Sequence, residues 1–168
     1  LVVDAHHSVE DVGIAIGMAF AQAIGDKKGI VRYGSARCPL DEALGDAVVD
    51  ISGRPFIVFN AEFMADKCGE MDTQLFEEFF RSFAFNAGIT LHIAAPYGLN
   101  DHHKAEAMFK SLARAIRQAA AIKTKSLASS ADMTTGEDTE AILAKHLAYI
   151  GSMNDANIDF GDLAFEFL

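Results

Sequence analysis

The same five-residue pattern, two histidines followed after two residues by a glutamate, occurs twice in this chain. His6-His7-Ser8-Val9-Glu10 opens one helical stretch and His102-His103-Lys104-Ala105-Glu106 opens another. At about 100° per residue on a helix, each histidine neighbours the glutamate three or four positions on, while the two histidines diverge. A diverging pair hardly chelates one ion but readily reaches two. Either copy alone reads first as helix capping or a solvated helix start. Two copies with the same spacing, each after a loop with an upstream Asp4 or Asn100-Asp101, favour metal binding instead. Imidazole with carboxylate suits manganese, zinc or iron better than magnesium or calcium. Duplication further implies a pseudo-twofold site in which each ion borrows donors from both copies.

The segments between these motifs define an α+β chain. Val9, Val12, Ile16, Ala19, Phe20 and Ala23 recur at helical spacing up to Ile24, and Gly25-Asp26-Lys27-Lys28-Gly29 ends that helix. "IVRYGSARCPL", Ala47–Ile51 and "FIVFNAEF" read as strands, with Ser52-Gly53-Arg54-Pro55 as a turn, and suggest an antiparallel meander. Asp72-Thr73 caps a helix that stops at Gly88, "ITLHIAA" is a strand, and a helix from about His102 to Ala121 buries Ala105, Met108, Phe109, Leu112, Ala113 and Ile116. Helix, three strands, helix, strand, helix predicts a sheet backed by helices on one side. Residues 1–122 form this domain. Residues 123–168 read as a polar linker and an acidic tail with a short helix at Thr139–Ile150.

Net charge is −10 over 168 residues, which argues against a generic nucleic-acid surface. No apolar run approaches the roughly 20 residues that span a bilayer, and no signal peptide is evident. Cys38 and Cys68 are expected as free thiols of a reducing cytosol. The chain starts without Met inside a motif, so it is expected to be partial.

"VDAHHSVEDVGIAIG" and "GLNDHHKAEAMFKSLARAIRQA" resemble the two signature motifs of the imidazoleglycerol-phosphate dehydratase family. "CPLDEALGDAVVDISGRPFIVFNAEF" and "FEEFFRSFAFNAGITLHI" extend the likeness over about Val2 to Ile122. The resemblance implies a duplicated half-domain sandwich like ribosomal protein S5 domain 2, here with its first half truncated. It implies manganese-dependent dehydration of imidazole glycerol phosphate to imidazole acetol phosphate in histidine biosynthesis, by a cytoplasmic lyase. Two ions per site would be held by His6, His7, Glu10, His102, His103 and Glu106, with Glu78 where many members have histidine. Glu10 and Glu106 are also the expected proton-moving groups. Arg32, Arg54 and Lys110 match the positions that hold the substrate phosphate. The family forms large symmetric homo-oligomers with interface active sites.

There are departures. One family histidine ligand and a substrate-contacting glutamate would precede Leu1, a Pro-Ser-Ser/Thr-Lys-Gly segment is absent, and the acidic tail is foreign to the family. The alternative expectation is therefore a truncated, inactive member that binds metal and self-associates. His92 reads as a core or sheet-face residue, His146 matches no ligand position, and Asp41 and Glu42 read as loop and helix caps.

Overall fold

Strands and helices alternate so that one sheet is covered on one face. The computed structural model describes residues 5–123. Its elements are α1 (Ala5–Ile24), β1 (Tyr33–Leu40), β2 (Ala43–Asp50), β3 (Phe56–Ala61), β4 (Lys67–Cys68), β5 (Met71–Asp72), α2 (Gln74–Ala87), β6 (Thr90–Tyr97) and α3 (Asp101–Ala120). The helix expected at Thr139–Ile150, the acidic tail and His146 lie outside the described residues.

The expected meander is corrected. β1 pairs antiparallel with β2, but β6 inserts next, antiparallel to β2 and parallel to β3, giving the order β1-β2-β6-β3. The physical reason is burial. Leu91 and Ile93 of β6 are almost fully buried and claim a central position, whereas β3 alternates between exposed and half-buried residues and suits an edge. α2 is the crossover that parallel neighbours require. A short β4–β5 hairpin between β3 and α2 was not foreseen.

Period-two alternation sorts the sheet's side chains. Ala47 and Val49 of β2, with Leu91 and Ile93 of β6, face the helices and join Phe76, Phe80, Phe83, Met108, Leu112 and Ile116 in the core. Of the residues expected to be buried on α3, Phe109 and Ala113 are only half-buried; Ala115 and Ala119 take sheet-facing places. The opposite face carries Tyr33, Val48, Phe56, Val58 and His92, all exposed. His92 is thus a sheet-face residue. Cys38 and Cys68 are free and buried, and burial pushes both thiols up.

α1 packs on α2 rather than on the sheet. Gly13 and Gly17 make the approach possible: a Cβ at Gly13 would stand 2.9 Å from Phe79 O, and one at Gly17 2.7 Å from Phe83 O. Both contacts advance in the same direction along the two helices, so α1 and α2 run parallel. α3 lies along β1 and β2, and its Phe109 ring meets Phe76, Phe79 and Phe80 of α2.

Both helix caps on the sheet side follow from local chemistry. Gly88 ends α2 in the left-handed conformation (φ 65°). At the start of α2, the capping acceptor is the Asp72 carboxylate, which accepts from Gln74 N at 3.0 Å; the Thr73 hydroxyl donates instead to Ala65 O and Asp66 O. No helix among the described residues is long and apolar enough to cross a membrane.

Candidate active site

The second histidine pair sits where three elements meet: the β1–β2 turn at Asp41 and Glu42, the loop after β6, and the first turn of α3. Asn100 caps α3, its Oδ1 accepting from His102 N at 2.9 Å and His103 N at 3.2 Å. The counterpart of this cap in the first motif, Asp4, lies outside the described residues. The His102 and His103 rings then splay, with centroids 6.1 Å apart and planes at 63°. The His6–His7 pair repeats the disposition at 5.9 Å and 76°. The divergence required by helical spacing is present in both copies.

Each histidine of the second pair has its own carboxylate. His102 Nε2 lies 3.2 Å from Glu106 Oε2, and the other Glu106 oxygen meets the Lys110 ammonium. Glu106 is buried, at 5% exposure, so its two oxygens are confined to these partners. His103 Nδ1 lies 2.8 Å from Glu42 Oε2, and Asp41 Oδ2 is 3.8 Å from Nε2. Hydrogen bonding to His103, then to Asn100 N, holds Glu42 down at about 2, and the same bond raises the imidazole above its usual value. Glu42 was foreseen as a loop cap, which it is: it accepts from Leu99 N and Asn100 N. Its hold on the histidine ring was missed, because nothing local in sequence links positions so far apart.

The first motif and Glu78 lie on the two helices packed together as the α1–α2 pair. Gly13 approaches Ser82, and one turn back on each helix stand Glu10 and Glu78. Glu78 is half-buried, with Ser82 Oγ at 3.5 Å and Arg81 Nε at 4.0 Å. The loop leading to α2 is tied to α3, since Met64 N and Ala65 N both donate to Asp101 and Thr73 Oγ1 to Ala65 O. Hence α2 and α3 start at the same end of the sheet, and α1, parallel to α2, starts there too.

Sharing an end is not convergence. α1 reaches α3 only across α2, more than one interhelical spacing of roughly 8–10 Å. A shared ion needs its donors within about 2.0–2.6 Å of itself. Accordingly, no group of three or more His, Cys, Asp or Glu that could hold a metal occurs within the single chain among the described residues.

The cations expected at a phosphate divide as well. Lys110 stands beside Glu106, but Arg32 is at the opposite end of α3, its N–H donating to Ala119 O. Sixteen residues of helix separate Ala119 from His103, about 24 Å at 1.5 Å per residue. Arg32 grips Asp50 with two nitrogens at 2.7 and 3.1 Å, and Arg54 approaches the same carboxylate at 4.0 Å. A recess of about 220 Å³ lined by Lys27, Ile30, Arg32, Ile51 and Ser52 adjoins them. A small substrate that used both Arg32 and His103 would have to draw them from different copies of the chain.

A helix-backed mixed sheet presenting paired imidazole and carboxylate groups at two helix starts defines an α+β scaffold with candidate transition-metal donors. Comparison with known proteins narrows this. The family model for imidazoleglycerol-phosphate dehydratase matches residues 1–116. The enzyme of that name from Clostridium botulinum (strain Hall) is 60% identical over 119 residues, covering 71% of this chain and 61% of the relative. That from Gluconacetobacter diazotrophicus is 60% identical over 117 residues, covering 70% and 59%. The crystal structure of imidazoleglycerol-phosphate dehydratase from Staphylococcus aureus superposes with a TM-score of 0.69 at 48% identity, over 72% of this chain and 70% of that one. The Pyrococcus furiosus structure, in complex with (S)-C348, gives 0.63 at 34% identity, over 74% and 69%. The chain belongs to the imidazoleglycerol-phosphate dehydratase family. It spans about three fifths of the length of the curated relatives it matches.

Proposed function

We propose that this chain acts in the dehydration of imidazole glycerol phosphate to imidazole acetol phosphate, a step of histidine biosynthesis in the cytoplasm. The observation that carries the reading, beside family membership, is the buried Glu106 carboxylate set between His102 Nε2 and the Lys110 ammonium at a capped helix start. The donor set fits manganese: imidazole nitrogens and carboxylates, with both cysteines buried elsewhere. His6, His7, Glu10 and Glu78 would supply one group of ligands and His102, His103 and Glu106 the other. Two bound manganese ions supply Lewis-acid charge that eases loss of the proton beside the imidazole ring.

The chain's own residues account for the rest of the proposal. Glu106, held between His102 and Lys110, would hold or pass a proton at the substrate, and Glu10 occupies the matching place in the first motif. Arg32 and Arg54 offer planar forks to a phosphate that displaces Asp50, while Lys110 contributes a point charge. The span between Arg32 and His103, and the separation of α1 from α3, support a homo-oligomer in which one copy's first motif meets another's second.

The test is assay of imidazole acetol phosphate after treatment with EDTA and after manganese is restored. Activity should vanish on chelation, return with manganese, and be absent in His103→Ala. Light scattering should show larger assemblies with manganese than with EDTA. Turnover indifferent to chelation would contradict the proposal. Metal retention and association without turnover would mark a non-catalytic metal-binding member of the family instead.

A further inference from the structure

We infer that Glu42 is a positioning residue that sets the tautomer of His103 and so prepares its Nε2, 3.8 Å from Asp41 Oδ2, for a metal ion. The inference rests on the proposed metal chemistry. Glu42 follows Asp41 in the tight β1–β2 turn, where Asp41 has φ 45°. One of its oxygens accepts from Leu99 N at 3.0 Å and Asn100 N at 2.7 Å; the other contacts His103 Nδ1 at 2.8 Å. Asn100 in turn caps α3 through the His102 and His103 amides. A single carboxylate thereby fixes the loop, the cap residue and the ring.

The consequence for the ring is chemical. An ionised carboxylate only accepts, so Nδ1 must carry the proton, and the lone pair of the neutral imidazole falls on Nε2. A carboxylate behind a histidine also raises its basicity as a ligand, and losing such a partner typically weakens metal binding about 10–100-fold. A glutamine at 42 has one oxygen for two tasks. If it serves the Leu99 and Asn100 amides, its NH2 faces Nδ1 and favours the opposite tautomer.

The experiment uses the full chain, wild type, Glu42→Gln and Asn100→Ala. Ring-nitrogen NMR of the metal-free protein at mildly alkaline pH reads the tautomer, and calorimetric titration with manganese reads affinity. Expected are an Nδ1–H tautomer for wild-type His103, a shift toward Nε2–H in Glu42→Gln, and manganese binding weaker by about 10–100-fold in that variant. Asn100→Ala loses the helix cap but keeps the ring contact, so its tautomer should stay as in wild type. A merely structural role for Glu42 would leave the tautomer unmoved. Wild-type His103 as Nε2–H, or Glu42→Gln binding manganese as tightly as wild type, would overturn the inference alone. No manganese uptake by the wild-type chain would overturn the metal reading and this inference with it.

Discussion

Phe80→Ala is expected to lower the free energy of unfolding by about 3–5 kcal/mol. Phe80 is fully buried, and its ring centroid lies 4.7 Å from Phe109 of α3, 5.6 Å from Phe79 and 6.1 Å from Phe59 of β3. Truncation removes the side chain's transfer free energy and opens a cavity where α2, α3 and the sheet meet. The surrounding rings are held by neighbouring elements, so collapse into the void is incomplete. Against a typical stability of about 5–15 kcal/mol, this is a large share of the total. The denaturant midpoint should fall with the slope unchanged. A variant within about 1 kcal/mol of wild type would mean that α2 and α3 are not locked together through this residue.

Lys104→Met should cost about 3 kcal/mol, toward the low end of the ~3–5 kcal/mol for breaking a buried ion pair from one side. Lys104 lies inside the second histidine motif and is 3% exposed. Its ammonium is 2.6 Å from Asp101 Oδ1, donates to Glu62 O at 2.6 Å and stands 5.4 Å from the Phe63 ring centroid. Without it, half-buried Asp101 keeps the Met64 and Ala65 amides but no counter-charge. Burial alone would raise the Asp101 carboxyl; Lys104 and those amides outweigh it and hold the carboxyl below its usual range. A depressed carboxylate contributes stability above its unfolded value of about 3.9, lost as pH falls through the lower folded value. The deficit of Lys104→Met should therefore be full at neutral pH and shrink below about pH 4, where protonated Asp101 needs no cation. Urea titrations of both proteins across this range check it. A pH-independent deficit would assign the loss to packing rather than charge.

What the sequence disclosed and what it withheld divide along the range of the interactions. The two histidine-led helix starts, the Gly88 stop and the strands were legible because caps and periodicity act within a few residues. The place of β6 was not. "FIVFNAEF" following a tight turn looks like the next strand of a meander, and only the near-complete burial of Leu91 and Ile93 across the sheet explains the insertion. Asp50, which joins Arg32 and Arg54, and Glu42, which holds His103, are ordinary acids of a strand and a turn until the fold brings them to partners distant in sequence. The site's chemistry was readable because donor types repeat. Its assembly was not, because α1 docks on α2 while α3 docks on the sheet.

Manganese stoichiometry by equilibrium dialysis, on the wild-type chain and on the double variants His6→Ala/His7→Ala and His102→Ala/His103→Ala, decides whether the two motifs share their ions. If each ion takes ligands from both motifs across copies of the chain, wild type binds two ions per chain and either double variant loses both. One ion surviving in each variant would mean two independent sites, and the shared dimetal centre would be wrong.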